Sequence, residues 1–137
     1  MKYALFLGCT IPARSRQYEL SARKVAQKLG IELVDVGEFI CCGFPVKASD
    51  LKSAMVLGAY NIALAEKQGL DLCALCSSCT SALTEVVHHL AHDDQAKAEV
   101  NEALARAGLH YDKGVRVRHF ARVLYEEVGK EEIKKHF

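Results

Sequence analysis

Six cysteines stand in a chain of 137 residues, and their spacing is the feature of this sequence most able to do chemistry. Cys41 and Cys42 are adjacent in "ICCGFP", Cys76 and Cys79 frame "CSSC", and Cys9 stands near the start. Adjacent cysteines make poor disulfide partners: the bridge wants Cα atoms about 4.4–6.8 Å apart, whereas a trans peptide holds neighbours about 3.8 Å apart. A vicinal pair is better explained by something the two sulfurs share. A Cys-x-x-Cys turn likewise lets two sulfurs face one metal centre. Together with Cys9 this makes five thiolates, one too many for a tetrahedral zinc and one more than a cubane iron–sulfur cluster needs. The surplus points to an opened or distorted cluster in which one thiolate bridges two irons. A zinc site using four of the five is a competing reading, as are unrelated core or redox thiols. A thioredoxin-like dithiol would explain "CSSC" but gives no reason for the other three cysteines.

Composition narrows the setting. Lysine and arginine number 18 against 17 acidic residues, a net charge of +1. That argues against a nucleic-acid domain, which carries a basic excess on one face. No apolar run approaches the length of a membrane span, so no direct membrane insertion is expected. The apolar run in "MKYALFLGCT" is also too short for the core of a signal peptide. These features read as a cytoplasmic protein, in a compartment where cysteines serve metal binding or redox chemistry more than disulfides.

The elements that must position the thiols can be read from hydrophobic spacing. "KYALFLG" (2–8), "IELVDV" (31–36), "LDLCAL" (70–75) and "VRVRH" (115–119) read as strands. Between them, helical spacing runs through Tyr18, Ala22, Val25, Ala26 and Leu29, then Leu51, Met55, Ile62 and Ala65. Leu83, Val86, Val87 and Leu90 predict another helix, Val100, Ala103, Leu104 and Ala107 a further one, and Phe120, Val123, Leu124 and Val128 the last. Ser49 or Asp50 is placed to cap the second helix. Strand and helix alternate, so the expected fold is α/β: a Rossmann-like parallel sheet of about four strands flanked by helices. The domain is expected to span residues 1–129, with 130–137 a charged C-terminal tail or linker. In such a sheet every strand ends on one edge, where ligands bind. Cys9, the Cys41–Cys42 pair and the Cys76–Cys79 pair each follow a strand, so loops distant in sequence should deliver five thiols to that edge.

The pattern of Cys9, then Cys41-Cys42-Gly43, then Cys76-Ser-Ser-Cys79, resembles the CCG cysteine-rich domain of the B-type subunit of heterodisulfide reductase. Its flanks, "YALFLGCTIPAR" and "VRVRHFARVLYEEVG", are similar to the family's opening and closing segments, and the likeness covers essentially the whole chain. The resemblance implies a noncubane [4Fe–4S] cluster held by Cys9, Cys41, Cys42, Cys76 and Cys79, and an oxidoreductase subunit that passes electrons to a disulfide substrate. It also implies partners: a second CCG domain or subunit, since the family protein carries two in tandem, and electron-donating iron–sulfur or flavin subunits. An electron-relay module of a flavin- or quinone-linked complex is the alternative, and structural zinc a third reading.

The other candidates divide between chemistry and architecture. Cys73 adds a further Cys-x-x-Cys step, but an alternating strand should bury it before the edge is reached. His119 ends the fourth strand at the edge; it can donate a hydrogen bond to a cluster sulfur or a proton to a leaving thiolate, or serve as a capping or core histidine. Arg14, Arg16 and Lys47 lie beyond the edge loops and can hold an anionic group on a substrate, or pair with surface carboxylates. His88, His89 and His92 share a helix far from the edge and read as a solvated face. Gly8 and Gly43 beside the thiols suit close backbone approach or positive φ.

Overall fold

The computed structural model describes residues 1–8 and 15–137. Four parallel strands form one sheet in the order β2-β1-β3-β4, with β1 at Lys2–Phe6, β2 at Glu32–Asp35, β3 at Asp71–Ala74 and β4 at Val117–His119. The fold is the expected α/β arrangement. Strands β1 and β3 are central and buried on both faces, which is why they read as continuous apolar runs. Edge strands β2 and β4 are only partly covered and carry polar residues beside their apolar ones.

The alternation along β1 and β3 sorts the core into two halves. Ala4, Phe6, Leu72 and Ala74 face one side, under α2 (Leu51–Gln68), α3 (Ser77–His92) and α4 (Asp94–Ala105). Tyr3, Leu5 and Cys73 face the other, under α1 (Arg16–Lys28) and α5 (Phe120–Arg122). Helix α5 runs on into a π-helical stretch over Val123–Val128, a change of winding that residue spacing alone does not announce. Each fully buried Leu, Ile or Phe contributes about 1.5–3 kcal/mol, so these two layers hold the sheet rigid behind the edge loops.

The helix starts follow their capping residues. Asp50 caps α2, accepting from the Ser53 N–H at 3.2 Å, and Asp93 caps α4, accepting from Ala96 N–H at 3.0 Å. The segment read as a tail or linker is helical: α6 spans Lys130–His136, and the Phe137 ring sits 4.9 Å from the Lys28 ammonium at the end of α1.

Candidate functional site

All four strands end on one edge. Phe6, Ala74 and His119 are the last residues of β1, β3 and β4, and β2 leads into the 36–43 loop. This loop is fastened to the sheet by an edge-to-face contact between Phe39 and Phe6, with ring centroids 5.2 Å apart. It then delivers Cys41, half-buried, and Cys42, only 5% exposed. From β3 the chain passes through Leu75 to Cys76, whose extended backbone (φ −119°, ψ 131°) makes it the N-terminal residue flanking α3. Cys79 lies in the first turn of α3 and is 7% exposed. The Thr80 hydroxyl donates back to the Cys76 carbonyl at 2.9 Å and so fixes the turn between the two cysteines.

The four described edge thiols meet in a row. Cys42 is hydrogen-bonded to both Cys41 and Cys79, and Cys79 also to Cys76. The contacts are pairwise: among the described residues no group of three or more His, Cys, Asp or Glu side chains is gathered so as to hold a metal ion. Cys9 and Arg14 lie outside the described residues. Gly8, immediately before Cys9, is described and sits against the row. A Cβ built at Gly8 would fall 2.9 Å from the Cys79 sulfur, so only glycine lets the β1 loop come this close.

Gly43 serves the other loop in the same manner. Its φ of +93° opens the 3₁₀ turn over Phe44–Val46, and a Cβ there would meet the Ala54 carbonyl oxygen at 2.5 Å. Its N–H lies 3.5 Å from the Cys41 sulfur.

Electrostatics distinguish the thiols. Cys42 is lowered from 9 to about 6, first by the hydrogen bond from Cys79, against the opposing effect of burial, with the Phe44 backbone N–H helping. Its partner Cys79 is pushed up by that bond, by burial and by the charge on Cys42. The pair therefore carries one negative charge readily and resists a second. Cys73 is different in kind: it is wholly buried in β3 and held up to about 12 by burial alone. It packs with Leu5 and Phe120 on the face opposite Cys42 and Cys79.

The sequence-read polar candidates fall as follows. His119 caps α5: its Nδ1 accepts from the Ala121 N–H at 3.0 Å. Lys47 is paired with Glu85 across to α3, and Arg16 is exposed at the first residue of α1. His88 and His92 stack edge-to-face with centroids 4.7 Å apart, and His89 lies 3.5 Å from Asp93, all on the exposed side of α3. A cleft of about 530 Å³ opens between the 3₁₀ turn, α2 and α3. Cys42 lies in its wall, with Phe44, Leu51, Met55 and Val86 as its apolar lining.

Two contributors were not read from the sequence as site residues. Tyr18 on α1 donates its hydroxyl to the Leu75 carbonyl at 2.9 Å, bracing the chain one residue before Cys76. Asn61 is fully buried in α2 and bonded to the loop that carries the vicinal pair. The signal for Asn61 was present in "GAYNIALA", an amide inside an otherwise apolar helical run.

Comparison with known proteins places this geometry. The model of the family described as "CCG: Cysteine-rich domain" matches residues 3–84. A protein of Archaeoglobus profundus, described as like the B-type subunit of heterodisulfide reductase, is 39% identical over 136 residues, which are 98% of this chain and 46% of the relative. The B-type subunit of the ferredoxin/F(420)H(2)-dependent CoB-CoM heterodisulfide reductase of Methanosarcina acetivorans is 33% identical over 97% of this chain and 45% of its own length. The chain thus spans about half the length of the curated relatives it matches. A crystal structure of a hypothetical protein from Helicobacter pylori shares the fold with a TM-score of 0.81 at 22% identity, over 91% of this chain and 25% of that one. The chain belongs to the CCG cysteine-rich domain family and is a homologue of the B-type subunit of heterodisulfide reductase.

Proposed function

We propose that this chain is an iron–sulfur redox domain of a B-type subunit like that of heterodisulfide reductase, passing electrons to a disulfide substrate. The observation that carries this reading is the row of contacts from Cys41 through Cys42 and Cys79 to Cys76, drawn from two loops far apart in sequence onto one sheet edge. The donor set fits a thiolate-ligated iron centre in its chemistry, and the bare backbone of Gly8 lies against the Cys79 sulfur. Cys9, Cys41, Cys42, Cys76 and Cys79 would hold a noncubane [4Fe–4S] cluster, which supplies one-electron steps and iron with an affinity for sulfur.

The chain's own groups do the rest. Cys76 and Cys79 stand at the N-terminus of α3, which holds them beside the loop that carries Cys42. Cys42 itself is nearly buried beside Phe44, Leu51, Met55 and Val86, and low exposure to water strengthens charge interactions at its sulfur. Splitting a disulfide consumes two electrons and two protons and yields two thiols. His119 is the proposed hydrogen-bond donor to a leaving thiolate: with Nδ1 accepting from Ala121, the neutral ring carries its proton on Nε2 and can offer that N–H to sulfur. Arg16 and Arg14 are the proposed holders of an anionic group on the substrate, whereas Lys47 already has Glu85 as its partner. The proposed partners are a second CCG domain or subunit and iron–sulfur or flavin subunits that donate electrons, in the cytoplasm, where thiols stay reduced.

The test is disulfide-dependent oxidation of a reduced viologen dye by the iron-loaded chain joined with a companion CCG domain. Oxidation that requires the disulfide is the expected result. Electron uptake without any disulfide dependence would instead assign the chain to electron relay in a flavin- or quinone-linked complex.

A further inference from the structure

We infer that Asn61 is the positioning residue of the vicinal cysteines, and that one face of α2 is shaped around it as a clamp on the 40–43 loop. The inference rests on the reading of Cys41 and Cys42 as ligands for its functional meaning, but its geometry stands apart from that reading. Asn61 is wholly buried in a helix whose other buried residues are Ala, Gly, Ile and Leu. An amide in such a place is unfavourable unless its hydrogen bonds are made. Here they are. Oδ1 accepts from the Ile40 N–H at 2.8 Å, while Nδ2 donates to the Cys41 carbonyl at 3.0 Å and to the Leu57 carbonyl at 3.1 Å.

Two of these three bonds reach a loop segment that lies outside the sheet and outside any helix. The carboxamide stands in for the ladder partner that Ile40 and Cys41 would have in a strand. The Cys41 carbonyl belongs to the peptide joining Cys41 to Cys42, so holding that oxygen fixes the plane from which both Cβ atoms depart. Direction matters here, because one thiol must reach Cys79 while its neighbour is half-exposed.

The rest of the clamp is made by what α2 leaves out. Ala54, Gly58 and Asn61 lie at i, i+4 and i+7, on one side of the helix. A Cβ at Gly58 would strike Val86 Cγ2 at 2.8 Å and lie 3.4 Å from the Cys42 carbonyl oxygen. The Ala54 carbonyl closes against Gly43. The loop therefore lies directly on the helix, with Asn61 supplying its side-chain hydrogen bonds. A residue that only filled the core would not need an amide: leucine has similar bulk.

The experiment uses the full chain in cluster-free form, where each cysteine can be alkylated with iodoacetamide and followed by mass spectrometry. Asn61→Leu keeps the volume and removes the bonds. Freed of the clamp, the loop should change the ratio of Cys41 to Cys42 alkylation rates by about tenfold, with Cys76 altered far less. Ile62→Val, at a buried neighbour, lowers stability while leaving the ratio unchanged. Hydrogen exchange of the unsubstituted chain decides the matter if Asn61→Leu does not fold: the Ile40 amide should exchange at least about a hundredfold more slowly than an open loop amide. A folded Asn61→Leu with an unaltered Cys41-to-Cys42 ratio, or an Ile40 amide exchanging at open-loop rates, overturns the inference. A chain that takes up no iron but shows both signatures would overturn the functional reading alone.

Discussion

Cys73 and Cys79 come from one short stretch of chain and from the same Cys-x-x-Cys periodicity, yet the fold gives them opposite chemistry. Cys73 is still within β3, points to the α1 face and packs in the buried layer with Leu5 and Phe120, so burial pushes its thiol up to about 12. Cys79 has passed the sheet edge into the first turn of α3, on the other face, where it meets Cys42 and Cys76. Cys76 lies between them and packs against both core halves. The strand end is the boundary between a thiol that is core and a thiol that can bind or react. Spacing alone does not draw that boundary; the three-dimensional edge does.

The largest expected effect breaks or upholds this contrast directly. Cys42→Ser and Cys79→Ser should each lower iron retention by about tenfold or more, since each removes a ligand from a thiolate-held centre. Cys73→Ser should stay near the unsubstituted level when iron is measured per folded chain. Equal loss in all three would erase the distinction between the two faces.

A smaller effect concerns the backbone that carries the vicinal pair. Gly43→Ala combines a φ of +93° with a Cβ only 2.5 Å from the Ala54 oxygen. It should cost about 2–3 kcal/mol in denaturant unfolding, from strain of a kind that runs to about 1–3 kcal/mol per site before any clash is added. A cost below about 0.5 kcal/mol would mean that the loop does not lie against α2 as described.

The pH dependence sharpens the comparison further, because the two regions have opposite signs. On folding, Cys42 falls from 9 to about 6. Its contribution to the stability of the cluster-free chain is therefore complete above pH 9 and lost as pH falls through 6. Cys73 rises from 9 to about 12, so its contribution is present below pH 9 and lost as pH climbs through 12. Cys79 shares the sign of Cys73 and opposes further gain above pH 9. Stability should rise from pH 6 toward 9 in the unsubstituted chain, and that rise should vanish in Cys42→Ser. Alkylation of Cys42 should be half-maximal near pH 6 while Cys73 stays silent until the chain unfolds.

Much of the fold was legible because its elements follow simple periods. The central strands appear as apolar runs because both their faces are covered, and α1 to α4 show their buried residues at helical spacing. Element ends were less legible. The run 115–119 yields a strand only at Val117–His119, since pairing extends only as far as Leu72, Cys73 and Ala74 of β3 provide partners. The segment after Gly129 offered charge but no strong apolar stripe, and its helix became visible only with Phe137 set beside Lys28. In the site, cysteine announces itself by type, and capping by His119 was one of the roles its position allowed. Asn61 showed itself only as an amide out of place in an apolar helical run, and its role stayed hidden because its partners are backbone atoms of a loop, which leave no mark on residue type. The pairing of Lys47 with Glu85 was hidden for a related reason: only the approach of the 3₁₀ turn to α3 brings the two together.

The central claim is that thiols delivered by separate loops grip one inorganic centre, and anaerobic analysis of metal and acid-labile sulfide tests it most directly. The full chain, prepared without air, should be brown and hold about four irons and about four sulfides. A colourless chain with one zinc and no sulfide would contradict it.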